Sequence, residues 1–221
     1  MEAGLEGQGF ALTTPLLTPE ECAGVAALDG DDARFRSRID MARYRFGRGR
    51  YGYFARPLPP RVQALRTHLY PRLAALATRW AERLGEAERY PATLAAFTQR
   101  CAEAGQTRPT PLLLRYGPED FNCLHQDRYG AVYFPLQATG FLSRPGADYT
   151  GGEFLLVEQR PRQQSRGTAL IPQQGQFLLF PSIHRPVAGT RGWYRAALRH
   201  GVSTLTSGER YTLGIIFHDA E

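Results

Sequence analysis

Helices first and a β jelly roll after is the α+β architecture the sequence predicts, on three observations. Between Val62 and Leu84 apolar residues recur at three- and four-residue spacing. After Pro109 that spacing gives way to short strand-like runs separated by turn residues. No internal repeat or low-complexity linker divides the halves, and 221 residues suffice for one well-cored domain. A single domain over 1–221 is therefore expected, with 1–108 a mainly helical support region and 109–221 the jelly-roll core.

Thr18-Pro19-Glu20-Glu21 offers a capping hydroxyl, a first-turn proline and acids for the positive end of a helix dipole. A short helix should run from there to about Leu28, stopped by Asp29-Gly30-Asp31-Asp32. Next comes the most basic segment, Arg34, Arg36, Arg38, Arg43, Arg45, Arg48, Arg50 and Arg56, interleaved with Tyr44, Phe46, Tyr51, Tyr53 and Phe54. Guanidinium groups that pair with phosphates, beside aromatics that stack on bases, suit a nucleic-acid contact surface. The alternative is a solvated hairpin or loop whose aromatics pack inward.

From Pro60 onward Val62, Leu65, Leu69, Leu73, Leu76, Trp80 and Leu84 mark a long amphipathic helix, which Pro71 is expected to break or kink. A second helix, with Leu94, Phe97 and Cys101 on one stripe, fits Ala92 to Ala104, ended by Gly105 and the Pro109/Pro111 pair. The strand candidates are Leu112–Tyr116, Ala131–Leu136, Gly152–Gln159, Gln176–Phe180, Tyr194–Thr204 and Arg210–Phe217.

Composition narrows the class. With 43% hydrophobic and 22% charged residues the chain is an ordinary soluble globular protein. No apolar run approaches the roughly 18 residues a membrane span needs, and the start lacks a basic-then-apolar secretory pattern, so a cytoplasmic location is expected. Cys22, Cys101 and Cys123 are odd in number and widely spaced, which fits a reducing compartment without structural zinc. The net charge of +6 favours an acidic partner such as nucleic acid. Because every basic side chain apart from histidine is Arg, genome composition is the competing explanation.

The chemistry centres on Arg115-Tyr116-Gly117-Pro118-Glu119-Asp120-Phe121-Asn122-Cys123-Leu124-His125-Gln126-Asp127. On an extended segment His125 and Asp127 share a face, so one metal can touch both. A second cluster from Arg199 to Thr212 adds His200, a turn at Ser207-Gly208, and Arg210 with Thr212 on the following strand. Two imidazoles and a carboxylate leave three positions of an iron open, the arrangement of non-haem Fe(II) oxygenases. A 2-oxo acid and dioxygen would fill them, and Arg210 with Thr212, on one strand face, would hold the acid's far carboxylate.

On these residues the sequence resembles the Fe(II)/2-oxoglutarate-dependent dioxygenases. The resemblance implies a double-stranded β-helix, the metal ligands His125, Asp127 and His200, and 2-oxoglutarate contacts from Arg210, Thr212 and Tyr116. The cofactors it implies are Fe(II), 2-oxoglutarate as cosubstrate and dioxygen, with ascorbate a candidate reductant. Gly151-Gly152-Glu153-Phe154 is similar to a turn that opens the next long strand in such proteins. The resemblance is closer to a largely uncharacterised bacterial branch of oxygenases described as acting on nucleic acid. It is carried there by the Gly105–Pro111, Leu124–Asp127, Gly151–Phe154, Pro161–Arg166 and Gly214–Ala220 stretches.

Of the three candidates for the distal ligand, His200 fits the family spacing to Arg210, whereas His184 sits in a proline-flanked segment with no such Arg after it. His184 is read as an entrance or exposed loop residue, His218-Asp219 as a capping or hydrogen-bonding pair, and His68 as a structural helix position. Gln126, Arg185 and Arg195, with Arg199, are the candidates for substrate contact. The implied reaction hydroxylates a substrate C–H bond while 2-oxoglutarate becomes succinate, and an N-methyl carbon so treated leaves as formaldehyde. Modified nucleic acid is the first substrate reading. A prolyl-type protein or peptide, or a small molecule, is the second, and a metal-free jelly-roll binding module is the reading from outside the enzymes.

Overall fold

The computed structural model describes residues 1–221 and contains the helices α1 (Glu2–Gln8), α2 (Pro19–Ala27), α3 (Pro60–Arg83) and α4 (Leu94–Glu103). The α2 start is a complete capping box, in which the Thr18 hydroxyl accepts from the Glu21 N–H at 3.3 Å and the Glu21 carboxylate accepts from the Thr18 N–H at 2.9 Å. Helix α3 runs unbroken through Pro71, against the expected break. Pro71 is exposed, so water can take the Thr67 carbonyl that its missing N–H would have met. Val62, Leu65, Leu69, Leu73, Leu76 and Trp80 form the buried stripe of that helix.

The strands in chain order are β1 (Ala11–Leu12), β2 (Phe35–Asp40), β3 (Gly47–Arg48), β4 (Arg50–Phe54), β5 (Leu112–Tyr116), β6 (Phe121–His125), β7 (Leu136–Phe141) and β8 (Tyr149–Gly151). They continue with β9 (Phe154–Gln159), β10 (Arg166–Leu170), β11 (Phe177–Pro181), β12 (His184–Gly189), β13 (Gly192–Val202), β14 (Leu205–Gly208) and β15 (Arg210–Ile215). The larger antiparallel sheet has the order β1-β11-β7-β15-β5-β4-β2; the smaller runs β10-β9-β13-β6-β3, with β12 also paired to β13. The two sheets make the jelly roll, and the helices cover the outer face of the larger one.

Period-two alternation sorts the larger sheet's side chains. Leu113, Leu136, Ala138, Leu213 and Ile215 join the helix-facing core of 29 buried residues, where Tyr70, Phe97, Phe134 and Phe217 pack ring on ring. Their neighbours Leu112, Leu114, Tyr116, Gln137, Thr139, Arg210, Thr212 and Gly214 point the other way and line a cavity between the sheets. The helical layer thus holds one face rigid while the other presents the chemistry.

Three strand expectations change. The Ala131–Leu136 strand is instead β7, which begins at Leu136. Pro135 has no N–H for a ladder, and Val132 is tied to the Gln106 side chain, which accepts from its N–H at 2.7 Å. His184 opens a strand rather than lying in a loop, and Pro186 is tolerated because β12 is an edge strand. The residues before 109 supply β1 to β4 besides their helices, three of them joining the larger sheet and β3 the smaller.

Candidate metal centre

His125 ends β6 directly opposite His200 on β13, so the strand register alone brings the two imidazoles together, with ring centroids 4.1 Å apart. Asp127 lies two residues past the strand end. Its carboxylate oxygens stand 3.3 Å from His200 Nε2 and 3.7 Å from His125 Nε2. One ligand atom from each residue falls within 4.8 Å of the others, close enough for one ion to meet all three.

The orientation of each group has a cause. His125 Nδ1 is 2.8 Å from the Cys123 carbonyl, so it carries the proton and leaves Nε2 bare toward the site. Phe154 stacks on the His200 ring with centroids 5.8 Å apart, and Phe180 packs against it at 4.8 Å. The Tyr129 hydroxyl donates to Asp127 Oδ1 at 2.8 Å, and Tyr53 donates in turn to Tyr129 at 3.5 Å. Burial works to raise the Asp127 carboxyl, but the hydrogen bond and charge of His200, then His125 and Tyr129, outweigh it and hold it well below the usual carboxylate range. Burial and the neighbouring His200 push the His125 imidazole down, toward the neutral form a metal requires.

The cavity encloses about 430 Å³, within the range of small-molecule sites. Arg210 is 1% exposed, and none of its three guanidinium nitrogens has a hydrogen-bond partner. It stands among the rings of Tyr116, Phe141 and Tyr149 at 5.4 to 5.8 Å. A buried cation without an anion is costly unless a ligand supplies one, so the residues fit a bound dicarboxylate. Thr212 and Tyr116, both buried, line the same cavity, and the Tyr116 hydroxyl accepts from Asn122 at 3.3 Å.

The softer site expectations fare differently. Gln126 lines the cavity wall, and its amide nitrogen donates to the carbonyls of Ile183 and Leu198, each at 2.8 Å, bracing the backbone there. Arg185 lies outside the cavity, 2% exposed, gripping Glu158 at 2.7 Å and the Glu6 carbonyl at 2.7 Å. Arg195 is engaged with Glu86 at 2.6 Å on the outer surface, where His184 also faces Glu86 at 3.8 Å. His218 and Asp219 do not pair with each other. His218 Nδ1 accepts from the Phe134 N–H at 3.1 Å, while Asp219 accepts from Arg66 at 2.7 Å and from Arg56. Sequence reasoning missed Tyr129 and Gln137, and read Tyr53 only as one aromatic of the basic segment rather than as a neighbour of Tyr129. Gln137 is 4% exposed and presents an unpartnered amide nitrogen to the cavity.

A jelly roll holding two histidines and an aspartate beside a buried, unpaired arginine defines an iron- and 2-oxoglutarate-dependent oxygenase. Residues 49–220 match an oxygenase family described as catalysing oxidative methylation of damaged DNA, and the chain belongs to that family. It is 50% identical over 182 residues, 78% of each chain, to uncharacterized proteins of two Mycobacterium tuberculosis strains. Among solved structures, a Pseudomonas putida prolyl-4-hydroxylase aligns over 100% of this chain and 97% of its own at 16% identity and TM-score 0.54. A Trichoplax adhaerens prolyl hydroxylase in complex with a hypoxia inducible factor peptide aligns over 99% and 87% at 17% identity and TM-score 0.57. At those identities the likeness is one of fold.

Proposed function

We propose that this oxygenase acts on an alkylated base in DNA, removing or hydroxylating the alkyl group. Membership of a family described by its action on damaged DNA carries the substrate reading, and the net charge of +6 supports it. His125, Asp127 and His200 would hold the iron, and Arg210, with Thr212 and Tyr116, would take the distal carboxylate of 2-oxoglutarate. Bound together with dioxygen, iron and 2-oxoglutarate supply oxidation of a C–H bond coupled to release of succinate and carbon dioxide. None of the three carries a transferable methyl group. What this site can do to a methylated base is therefore to take the methyl away, as formaldehyde, once its carbon has gained a hydroxyl.

The protein's own part is positional. The Cys123 carbonyl sets the His125 tautomer, Tyr129 occupies one oxygen of Asp127 and leaves the other for the metal, and the apolar walls of Leu112, Leu114 and Phe154 limit water. A base reaches such an enclosed site only from a single strand or by leaving the helix. The three free thiols suit the reducing cytoplasm in which we place the reaction.

The test is succinate and formaldehyde release by anaerobically Fe(II)-loaded protein, with N-methylated single-stranded oligonucleotides in one arm and proline-rich peptides in another. Oligonucleotide-dependent turnover, lost in His200→Ala and retained in His184→Ala, is the expected outcome. Turnover stimulated by peptide and indifferent to oligonucleotide would replace the nucleic-acid reading with the prolyl-type one.

A further inference from the structure

The Arg-rich segment is not a uniform basic face once folded. Arg34 is paired with Asp31 at 3.0 Å, Arg38 with Asp29 at 2.7 Å and Arg50 with Asp29 at 2.9 Å. Arg56 binds Asp219, Arg36 donates to the Pro109 carbonyl at 2.9 Å, and Arg43 faces Asp40 at 3.9 Å. That leaves Arg45 and Arg48, both exposed and without a carboxylate partner. Arg45 lies within, and Arg48 just after, the one part of the segment where aromatics face water: Tyr44 is 55% and Phe46 48% exposed, and their rings stack at 5.6 Å and 20°.

This ledge adjoins the cavity. Arg45 and Phe46 belong to the cavity wall, as does Leu124, itself 44% exposed, and the Phe46 carbonyl accepts from the Cys123 N–H at 2.8 Å on the strand that carries His125. Arg45 also holds a left-handed backbone, φ 59°, which is unusual for a residue with a side chain and turns the peptide between the two rings. Exposed aromatic faces, unpaired guanidinium groups and a left-handed residue thus coincide on one short stretch, and its Arg45 and Phe46 line the cavity that holds His125, Asp127 and His200.

We infer that the Tyr44–Phe46 ledge, with Arg45 and Arg48, is the docking platform for single-stranded DNA: a base adjoining the reacting one stacks on the exposed rings while the two guanidinium groups meet flanking phosphates. The inference rests on the nucleic-acid reading above and narrows it to four side chains. Aromatic faces accept any base, so the platform positions the strand without reading its sequence. The remaining arginines of the segment are internal ties.

The experiment measures binding of a fluorescein-labelled oligothymidylate, and of a duplex of equal length, by the full chain across a range of salt. Comparison is with Tyr44→Ala, Phe46→Ala, Phe46→Trp, Arg45→Gln, Arg48→Gln and Arg34→Gln, each checked for an unchanged circular dichroism spectrum. Losing one stacking ring is expected to weaken single-strand binding by about tenfold or more, with Phe46→Trp restoring it and showing emission quenched by the bound strand. Arg45→Gln and Arg48→Gln should each flatten the slope of log affinity against log salt by about 0.7, and Arg34→Gln should leave it alone. If the wild type binds single strands and the ledge variants bind them equally, the platform is overturned while the nucleic-acid reading stands. If the wild type binds neither strand form, that reading falls and the platform falls with it.

Discussion

Arg210 shows how far one residue departs from what stability alone would choose. Its guanidinium is buried with no partner, an arrangement that costs free energy until a carboxylate arrives. Arg210→Met should therefore stabilise the ligand-free protein by about 1–4 kcal/mol in chemical denaturation. The same change should weaken 2-oxoglutarate binding to the metal-loaded protein roughly ten- to a hundredfold by calorimetry, since a charge-assisted contact contributes ~1.5–3 kcal/mol. Undiminished binding by the variant would take Arg210 out of the cosubstrate site. His125-x-Asp127 drew notice as two ligand types close together, and His200 with Arg210 through the spacing of the family the sequence resembles; the structure gathers the first three within 4.8 Å. Tyr53, Tyr129 and Gln137 were not legible. Their part depends on what lies across the cavity, and nothing in the chain near Tyr53 announces that its hydroxyl will lie 3.5 Å from Tyr129.

At the scale of elements, the candidate metal centre is a property of the β6–β13 pairing, and at Gly201 the two backbones come too close for a side chain. A Cβ at Gly201 would stand 2.6 Å from the Asn122 carbonyl oxygen and 3.2 Å from that of Cys123, the oxygen that orients His125. Backbone cannot yield as a flexible side chain would, so Gly201→Ala must push the strands apart beside the two histidines. We expect a destabilisation of ~1–3 kcal/mol, accompanied by weaker Fe(II) or Mn(II) binding in anaerobic titration. Metal affinity equal to the wild type's would show that the ligand geometry does not depend on this close approach. Of the eleven strands of the second half, β5, β9, β11, β13 and β15 were readable from alternation, while the short strands between them, β6 with His125 included, were not. Those of the first half were hidden, since β3 and β4 lie in Gly47-Arg48-Gly49-Arg50-Tyr51-Gly52-Tyr53-Phe54, where glycine and arginine mask the pattern that the sheet neighbours impose.

Over the whole molecule, the chain's last residues connect the helical layer to the loop that carries Asp127 and Tyr129. Arg66 on α3 donates to the Ile216 carbonyl at 3.1 Å, the Phe217 carbonyl at 2.6 Å and Asp219 at 2.7 Å, with both partners of the ion pair 1% exposed. Gln106 joins the Asp219 carbonyl, at 2.6 Å, to the Val132 carbonyl, at 2.8 Å, and so to the loop that carries Tyr129. The Gly105–Pro111 and Gly214–Ala220 stretches that carried part of the resemblance meet in this hub, which explains family-like sequence far from the ligands. His218 sits inside it, and burial, opposed by Asp127 and assisted by Arg66, pushes its imidazole down to about 4. An unfolded histidine titrates at about 6.5, so between those values the unfolded chain binds the extra proton and stability falls as the pH falls. His218→Asn keeps an acceptor for the Phe134 N–H and removes the titration. Between pH 7 and 4.5 the wild type should lose roughly 2–3 kcal/mol more than the variant in urea denaturation. Equal losses would mean that His218 opens to water and protonates before the hub unfolds.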